Sequence, residues 1–424
     1  MYIRDLITKK RKKQELDNEE IKFFIFNYFK NEISEEQAAA LLTLMYTNGM
    51  SLNEMKDMIS VIAETGEEME LYRLSNKITE IHAIGGISDK IIIILMTILG
   101  ALNIETAKIV GREPGIVSKL ESINGYEIEK DFDKFKDNIT NSNMGILMEA
   151  KNLAPVEDRL YKLRYNIACD NNMELIALSI MSQKLAIGCK NILIEITIGE
   201  NAYVKTESDA KRLAKYLVEI GKKLNRNVVC FITDLKQPIG KCFGNNMEIN
   251  EIIDFLQGNM DEEIKNKVLE FGSSIMQITG YGLNEKQNKK KILETIESGQ
   301  AYQRFKQLIQ QGNGNADEKL EVAKKIVPIM SGTEGYVEEI DVNKIRMTAR
   351  YLGAIKSKAG DSTDKTAGIE FVKKIGDSVR AGEIIAYLHT NNENKITQGV
   401  SEIKEAFIIS DKKISKDGLI KKIV

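Results

Sequence analysis

The hydrophobic pattern is densest over residues 78–99, where a β-prone run enters a turn at Gly85-Gly86 and an almost uninterrupted apolar segment follows Asp89. Glycines at such a turn let the backbone approach a ligand closely, and Asp89 is a good N-cap for a helix. Because the first N–H groups of a helix have no intrahelical partner, the pattern predicts an anion site after the turn. The four isoleucines at 91–94 also fit a buried strand, since periodicity cannot separate strand from helix in so short a run.

The first 66 residues show the pattern of short helices. Ser34-x-x-Gln37 and Ser51-x-x-Glu54 are capping boxes, and Asn48-Gly49 closes the helix between them. The run AAALLTLMY over 38–46 is apolar on more than one face, which predicts burial between neighbours. The pattern leaves open whether those neighbours belong to the same chain or to a second subunit.

Strand and helix patterns alternate in the middle of the chain. Strands are predicted over 107–110, 191–197 and 228–233, and an amphipathic helix over 208–224. Beyond Pro328 the pattern changes to short strands and turns, as in GIEFVKKIGDSVRAGEIIAYLHT. An α/β region followed by a smaller unit of strands is therefore expected.

Charge and cysteine content exclude several classes of function. The 424 residues include 60 basic and 62 acidic ones, so a net charge of −2 favours neither nucleic acid nor a membrane surface as a partner. The four cysteines lack C-x-x-C spacing, which predicts a reduced, cytoplasmic protein without zinc. No segment reaches the roughly 18 apolar residues that would cross a membrane.

The residues around the glycine turn carry a resemblance to a known family. His82-x-x-Gly85-Gly86-x-x-Asp89-Lys90 resembles the phosphate-loop signature of thymidine and pyrimidine-nucleoside phosphorylases, K-H-S-T-G-G-V-G-D-K/T-T-T. Further matches are L-E-S at 120–122, Y-x-L-R and S-I-M-S within 161–184, and Q-P-x-G at 237–240. The chain is identified as a degenerate member of that family, and the resemblance covers essentially its whole length.

The resemblance implies a fold of class α/β plus α+β. Three domains are expected: a helical dimerisation and base-binding domain (1–66 with 157–186), an α/β phosphate-loop domain with a central mixed sheet flanked by helices (67–156 with 187–327), and a small C-terminal α+β domain (328–424). A homodimer that uses no cofactor is also implied.

On the base side, the resemblance assigns Arg164 to a pyrimidine carbonyl and Ser179 to the edge of the ring. Gln183 stands where the family has a lysine; its amide both donates and accepts hydrogen bonds but carries no charge. His82 is a candidate hydrogen-bond donor or general acid toward the leaving base. A pyrimidine base or nucleoside is therefore the expected partner.

The phosphate side departs from the family. The phosphate ligands that remain by resemblance are Lys108, Gly85, Gly86 and Ser88. Four positions that bear lysine, serine or threonine in the family are apolar here, namely Ile81, Ala83, Ile92 and Val110, and the loop after Gly111 is shorter. Losing three or four donors worth about 1.5–3 kcal/mol each would weaken phosphate binding by several orders of magnitude.

In some relatives a monovalent cation is held near the turn by backbone oxygens and one glutamate. The corresponding positions in this chain are Ser88, Lys90, Ile239, Cys242 and Glu251. A lysine ammonium at position 90 would occupy the place of the cation, so we expect no bound metal.

Two functions remain open. The first is a non-catalytic or strongly impaired homologue, a pseudoenzyme that binds a nucleobase or nucleoside while its phosphate site is degraded. The alternative is an active pentosyltransferase, a glycosyltransferase of pyrimidine metabolism that splits pyrimidine (deoxy)nucleosides into base and (deoxy)ribose 1-phosphate. The residues around the turn favour the first function, and phosphate is expected to bind poorly.

Overall fold

The chain begins with five helices, and strands and helices are interspersed from residue 79 onward. The computed structural model describes residues 1–85, 89–111, 115–149, 153–199, 202–282, 284–356, 362–416, 418 and 420–423. Its strands are β1 (Thr79–Ile84), β2 (Thr106–Val110), β3 (Met144–Met148), β4 (Asn191–Ile198), β5 (Asn227–Asp234), β6 (Cys242–Phe243), β7 (Lys325–Met330), β8 (Gly335–Ile340), β9 (Gly368–Phe371), β10 (Ser378–Val379), β11 (Ile384–Thr390), β12 (Phe407–Ser410) and β13 (Ile420–Ile423). Its helices are α1 (Ile3–Arg11), α2 (Asn18–Phe29), α3 (Glu35–Asn48), α4 (Leu52–Ala63), α5 (Leu71–Leu74), α6 (Asp89–Ala101), α7 (Ile116–Leu120), α8 (Phe132–Ser142), α9 (Pro155–Asn166), α10 (Met173–Ile187), α11 (Glu207–Lys223), α12 (Asn245–Leu256), α13 (Glu262–Ile278), α14 (Glu285–Glu297), α15 (Gln300–Gln311), α16 (Val342–Leu352) and α17 (Ile396–Ala406).

The N-terminal helices form one layer with α9 and α10. Both predicted capping boxes are present. The hydroxyls of Ser34 and Ser51 accept hydrogen bonds from the backbone N–H of the third residue of α3 and α4, and the side chain of that residue accepts one from the backbone N–H of the serine. Gly49 ends α3 with a φ of 77°, a conformation that glycine adopts without strain. Helix α10 packs against α4 and α11 and so joins the layer to the central sheet. The predicted subunit interface through this layer stays a prediction.

The central sheet has six strands in the order β13-β5-β4-β1-β2-β3. Strands β1 to β5 run parallel, and β13 pairs antiparallel with β5, so the predicted mixed sheet is confirmed. Strand β1 lies between β4 and β2, with His82 opposite Ile194. Since ligands of parallel sheets bind beyond the carboxyl ends of the strands, this order brings the ends of β1 and β2 together at the glycine turn.

The isoleucine run belongs to helix α6, which decides between the two elements that the sequence left open. Every residue from Lys90 to Gly100 is buried, and α6 packs against α13 and α15. A helix that is apolar on all sides is stable only when other elements surround it, as they do here. Asp89, expected as the N-cap, is instead the first helical residue.

The C-terminal region contains two further sheets, in the orders β6-β9-β11-β7 and β10-β8-β12, covered by α16 and α17. This arrangement confirms the small C-terminal α+β unit. Two strands cross between the predicted domains: β6 leaves the α/β region to pair with β9, and β13 returns to pair with β5. The two regions are therefore joined through backbone hydrogen bonds as well as side chains.

Candidate functional site

A cavity of about 310 Å³ opens at the carboxyl ends of β1 and β2, beside the first turn of α6 and against α10. The described residues that line it are His82, Ala83, Asp89, Ile92, Lys108, Ile109, Val110, Gly111, Gly115, Ile116, Val117, Glu149, Leu153, Gln183, Lys184 and Ile187. The cavity therefore lies where the sequence predicted the ligand site.

Three of the four substituted phosphate positions, Ala83, Ile92 and Val110, line this cavity. The carboxylates of Asp89 and Glu149 line it as well, although neither was predicted as a site residue. Asp89 is paired with Lys119, whose Nζ lies 3.2 Å from its Oδ2. At the three substituted positions an incoming anion would therefore meet apolar side chains instead of hydroxyl donors.

Ile81 occupies a different place from the one predicted. It is 2% exposed and packs in the apolar core with Ile92 and Leu193. It precedes the cavity residue Ala83 by two positions along β1, and only its carbonyl takes part in the site, as an acceptor for Lys108. The lysine that the family has at position 81 would therefore begin inside the apolar core.

Two buried lysines form the polar floor of the cavity. Lys108 Nζ donates to the carbonyl oxygen of Ile81 at 2.8 Å, and Lys184 Nζ lies 2.6 Å from Glu80 Oε1. Burial, together with the charge of Lys184, lowers the pKa of Lys108 to about 8. Both cations thus already have acceptors in the folded protein.

His82 lies on the cavity wall near these two lysines. Burial, followed by the positive charges of Lys184 and Lys108, holds the pKa of His82 well below its usual range. The imidazole is therefore neutral at physiological pH. It is suited to hydrogen bonding and is a poor general acid.

Arg164 and Ser179 form a separate cluster around Glu157. Arg164 Nη2 lies 2.5 Å from Glu157 Oε1 and 3.3 Å from Ser179 Oγ, and Ser179 Oγ donates to the same carboxylate oxygen at 2.5 Å. Arg164 is 2% exposed, and neither it nor Ser179 is among the described residues that line the cavity. Gln183, one helical turn beyond Ser179 on α10, does line it.

Lys90 points away from the cavity into a cage of oxygen atoms. Its Nζ donates to the carbonyl oxygens of Ile239 at 2.9 Å and Cys242 at 2.8 Å, and to Glu251 Oε2 at 2.6 Å. Oxygen atoms of three predicted cation positions, Ile239, Cys242 and Glu251, thus contact the ammonium group of Lys90. Within the described ranges, no cluster of three or more histidine, cysteine or carboxylate side chains is arranged to hold a metal ion.

The predicted positions in the turn are only partly described. Gly85 has a φ of 71° and lies against the backbone of Tyr203, so a side chain there would be strained. Gly86 and Ser88 lie outside the described residues. The remaining predicted phosphate ligand, Lys108, lines the cavity.

Comparison with known proteins agrees with this architecture. Residues 4–66 match the helical bundle domain of the glycosyl transferase family, residues 75–302 match the a/b domain of that family, and residues 336–410 match the pyrimidine nucleoside phosphorylase C-terminal domain. In fold, the chain is similar to anthranilate phosphoribosyltransferase from Thermus thermophilus, with a TM-score of 0.56 and 14% identity over 73% of this chain and 100% of that one.

Curated relatives share the full length of the chain. It is 32% identical over 403 residues to the pyrimidine-nucleoside phosphorylase of Bacillus subtilis (strain 168), covering 93% of each chain. Identity to the enzyme of the same name from Geobacillus stearothermophilus is 31% over 402 residues, covering 93% of each, and to that from Staphylococcus aureus (strain USA300) 31% over 433 residues, covering 100% of each.

The chain is therefore a glycosyl transferase homologue built from a helical bundle and an a/b domain. The C-terminal match and the identity over the full length narrow the class further. The chain belongs to the pyrimidine-nucleoside phosphorylase family. Among the described helices, none combines the length and the apolar character needed to cross a membrane.

Proposed function

We propose that this protein binds a pyrimidine base or nucleoside and catalyses phosphorolysis weakly or not at all. The observation that carries the proposal is the composition of the cavity wall, where Ala83, Ile92 and Val110 lie together with the carboxylates of Asp89 and Glu149. A phosphate dianion in this cavity would lose hydration against apolar side chains. This cost opposes binding.

The neighbouring cations do not offset that cost. Lys108, Lys184 and Lys119 already contact Ile81, Glu80 and Asp89, respectively. Three missing charge-assisted donors correspond to at least about 4.5 kcal/mol, or about three orders of magnitude in affinity. Phosphate affinity well below that of an active phosphorylase is therefore expected.

The base side supports binding rather than bond cleavage. Glu157 holds Arg164 and Ser179 in one hydrogen-bonded cluster, and Gln183 presents a neutral amide at the cavity. The amide of Gln183, which both donates and accepts hydrogen bonds, suits the edge of a uracil or thymine ring. A neutral His82 donates or accepts a hydrogen bond but does not readily protonate a leaving base.

We also infer a cytoplasmic homodimer that assembles through the helical layer. Helix α3 leaves Ala40 exposed and Ala39 and Leu44 only half-buried, a small apolar face of the kind that packs against a second subunit. All four cysteines are free, as expected in a reducing compartment. Light scattering tests the assembly: the wild type should have the mass of two chains and Leu44→Glu that of one. A monomeric wild type would contradict this inference.

The experiment that tests the function separates binding from catalysis. Calorimetry measures the affinity of uracil, thymine, uridine and thymidine with and without phosphate, and chromatography measures release of the free base. The wild type should bind at least one of these ligands with the same affinity in both buffers and release no base above background. Gln183→Ala should weaken this binding, while Lys290→Met, an exposed substitution, should leave it unchanged.

Restoring the family residues provides a matched gain-of-function test. Because Ile81 lies in the core, the threefold variant Ala83→Ser, Ile92→Thr, Val110→Ser is compared with the fourfold variant that adds Ile81→Lys. We expect a modest gain in phosphate affinity from the threefold variant and lower stability in the fourfold one. Robust phosphate-dependent base release by the wild type would contradict the proposal and assign an active phosphorylase with Lys108 as an anion ligand.

A further inference from the structure

The cage around Lys90 is a receptor for a single positive charge. Its oxygens come from the carbonyls of Ile239 and Cys242 and from the carboxylate of Glu251, at 2.6–2.9 Å from Nζ. Glu248 Oε2 lies 3.6 Å from the same nitrogen. The side chains of Lys90, Glu248 and Glu251 are 1%, 3% and 10% exposed, so bulk water screens their charges only weakly.

Lys90 supplies one positive charge against the two carboxylates, and Lys119 Nζ, 3.6 Å from Glu248 Oε2, supplies a second. Burial lowers the pKa of Lys90, but the carboxylates of Glu248 and Glu251 raise it by more, and the net shift is upward. The ammonium therefore stays protonated wherever the protein is folded. Without it, two carboxylates and two carbonyl oxygens would face one another in a buried space, at a large electrostatic cost.

The cage is held in shape by contacts that do not involve Lys90. The backbone N–H of Lys241 donates to Glu251 Oε1 at 2.5 Å, and Lys374 Nζ donates to the carbonyl oxygens of Pro238 and Gly240. The carbonyls of segment 238–242 are thus shared between two lysines, one on α6 and one in the C-terminal region. Removing the Lys90 side chain would leave the oxygen atoms largely in place.

The distances indicate which ion fits such a space. The three contacts of 2.6–2.9 Å are hydrogen-bond lengths from an ammonium nitrogen, and a space of that size is larger than the 2.0–2.1 Å contacts of Mg²⁺ require. Carbonyl oxygens arranged to replace a hydration shell are the usual ligands of K⁺. A separate ion does not fit while Lys90 is present, because the ammonium already contacts these oxygens.

We propose that Lys90 is a tethered cation that makes the folded protein independent of free monovalent cations, and that removing its side chain turns the cage into a site for K⁺ or NH₄⁺. Lys90 directly follows Asp89, which lines the cavity, so the tethered charge also fixes the start of α6 against segment 239–242. Lys90 is accordingly a positioning residue.

The experiment compares thermal unfolding in the chlorides of K⁺, NH₄⁺, Na⁺ and tetramethylammonium at equal ionic strength. The Tm of the wild type should be the same in KCl and tetramethylammonium chloride. The Tm of Lys90→Thr should fall sharply in tetramethylammonium chloride and recover by several degrees, saturably, in KCl or NH₄Cl, because a ligand of the folded state stabilises it. Lys90→Ala, measured beside it, should behave in the same way.

Two controls separate the cage from general salt effects. Lys90→Met fills the space without charge, so it should be destabilised equally in every salt. Lys119→Met removes another cation 3.6 Å from Glu248 but outside the cage, and it should show no ion-specific recovery. A wild type stabilised specifically by K⁺ would overturn the proposal. Lys90→Thr and Lys90→Ala chains that unfold alike in all four salts, or fold in none of them, would also overturn it.

Discussion

The buried ammonium of Lys108 should make the free energy of unfolding depend on pH, and the substitution Lys108→Met isolates its contribution. Burial, with repulsion from Lys184, lowers its pKa from the ordinary 10.5 to about 8. The unfolded chain therefore binds this proton more tightly than the folded one. The free energy of unfolding should rise with pH from about 8 to 10.5, by about 3 kcal/mol for this group over the full window.

Comparison of the wild type with Lys108→Met isolates that contribution, because methionine has similar length and does not titrate. Urea denaturation at several values between about pH 7 and pH 10 gives the difference in unfolding free energy between the two proteins. The difference should move by about 2 kcal/mol in favour of the wild type as pH rises. Lys290→Met, in which the replaced side chain is exposed, should give a flat difference.

The same measurement bears on the anion site. A difference that is flat or falls with pH would refute the placement of Lys108 as a buried, partly deprotonated cation. An anion bound beside the ammonium would raise its pKa and remove the slope. We therefore expect the slope to persist in phosphate buffer, and its loss there would show that phosphate binds at Lys108.

Three further predictions about packing and capping are tested by urea denaturation. Glu80→Gln leaves Lys184 buried without a counter-charge and should cost about 3–5 kcal/mol, whereas Glu80→Leu with Lys184→Met should recover much of it; equal losses would contradict this. Gly221→Ala, which in most helices stabilises, should here cost about 1–3 kcal/mol, since its Cβ would lie 2.4 Å from Val228 Cγ2; a gain would refute the contact. Ser34→Ala should cost about 1 kcal/mol and Ser34→Thr much less, and equal effects of the two would argue against the cap.

Features set by neighbouring residues were predictable from the sequence. The capping boxes of α3 and α4 formed as expected, and the strand predicted over 228–233 differs from β5 (Asn227–Asp234) by one residue at each end. The sequence signals for these elements are local: capping residues mark the helices, and a short run of β-prone residues marks the strand. The isoleucine run of α6 carried no such signal, and packing against α13 and α15 decided its conformation.

The site was less predictable because its contacts join distant parts of the chain. Glu80 and Lys184 pair across 104 positions, and no local pattern marks either as a partner of the other. The acidic wall was missed for the same reason: Asp89 was interpreted as a helix cap, and no motif points to Glu149. The placement of the Lys90 ammonium among Ile239, Cys242 and Glu251 was predicted from the family resemblance and not from a local pattern.

Strand β13 has a consequence for self-association. Without it, residues 230–233 of β5 would present unpaired backbone groups, and the side chains of these residues are all buried. An apolar open edge of this kind is a template for pairing with another chain. Strand β13 covers that edge and places Lys421 and Lys422 on the outermost strand, where charge discourages a further strand. A fusion or tag that displaces residues 420–423 would therefore favour aggregation. Because the aggregation would proceed by pairing of folded chains, its onset would depend on protein concentration rather than on the stability of the core.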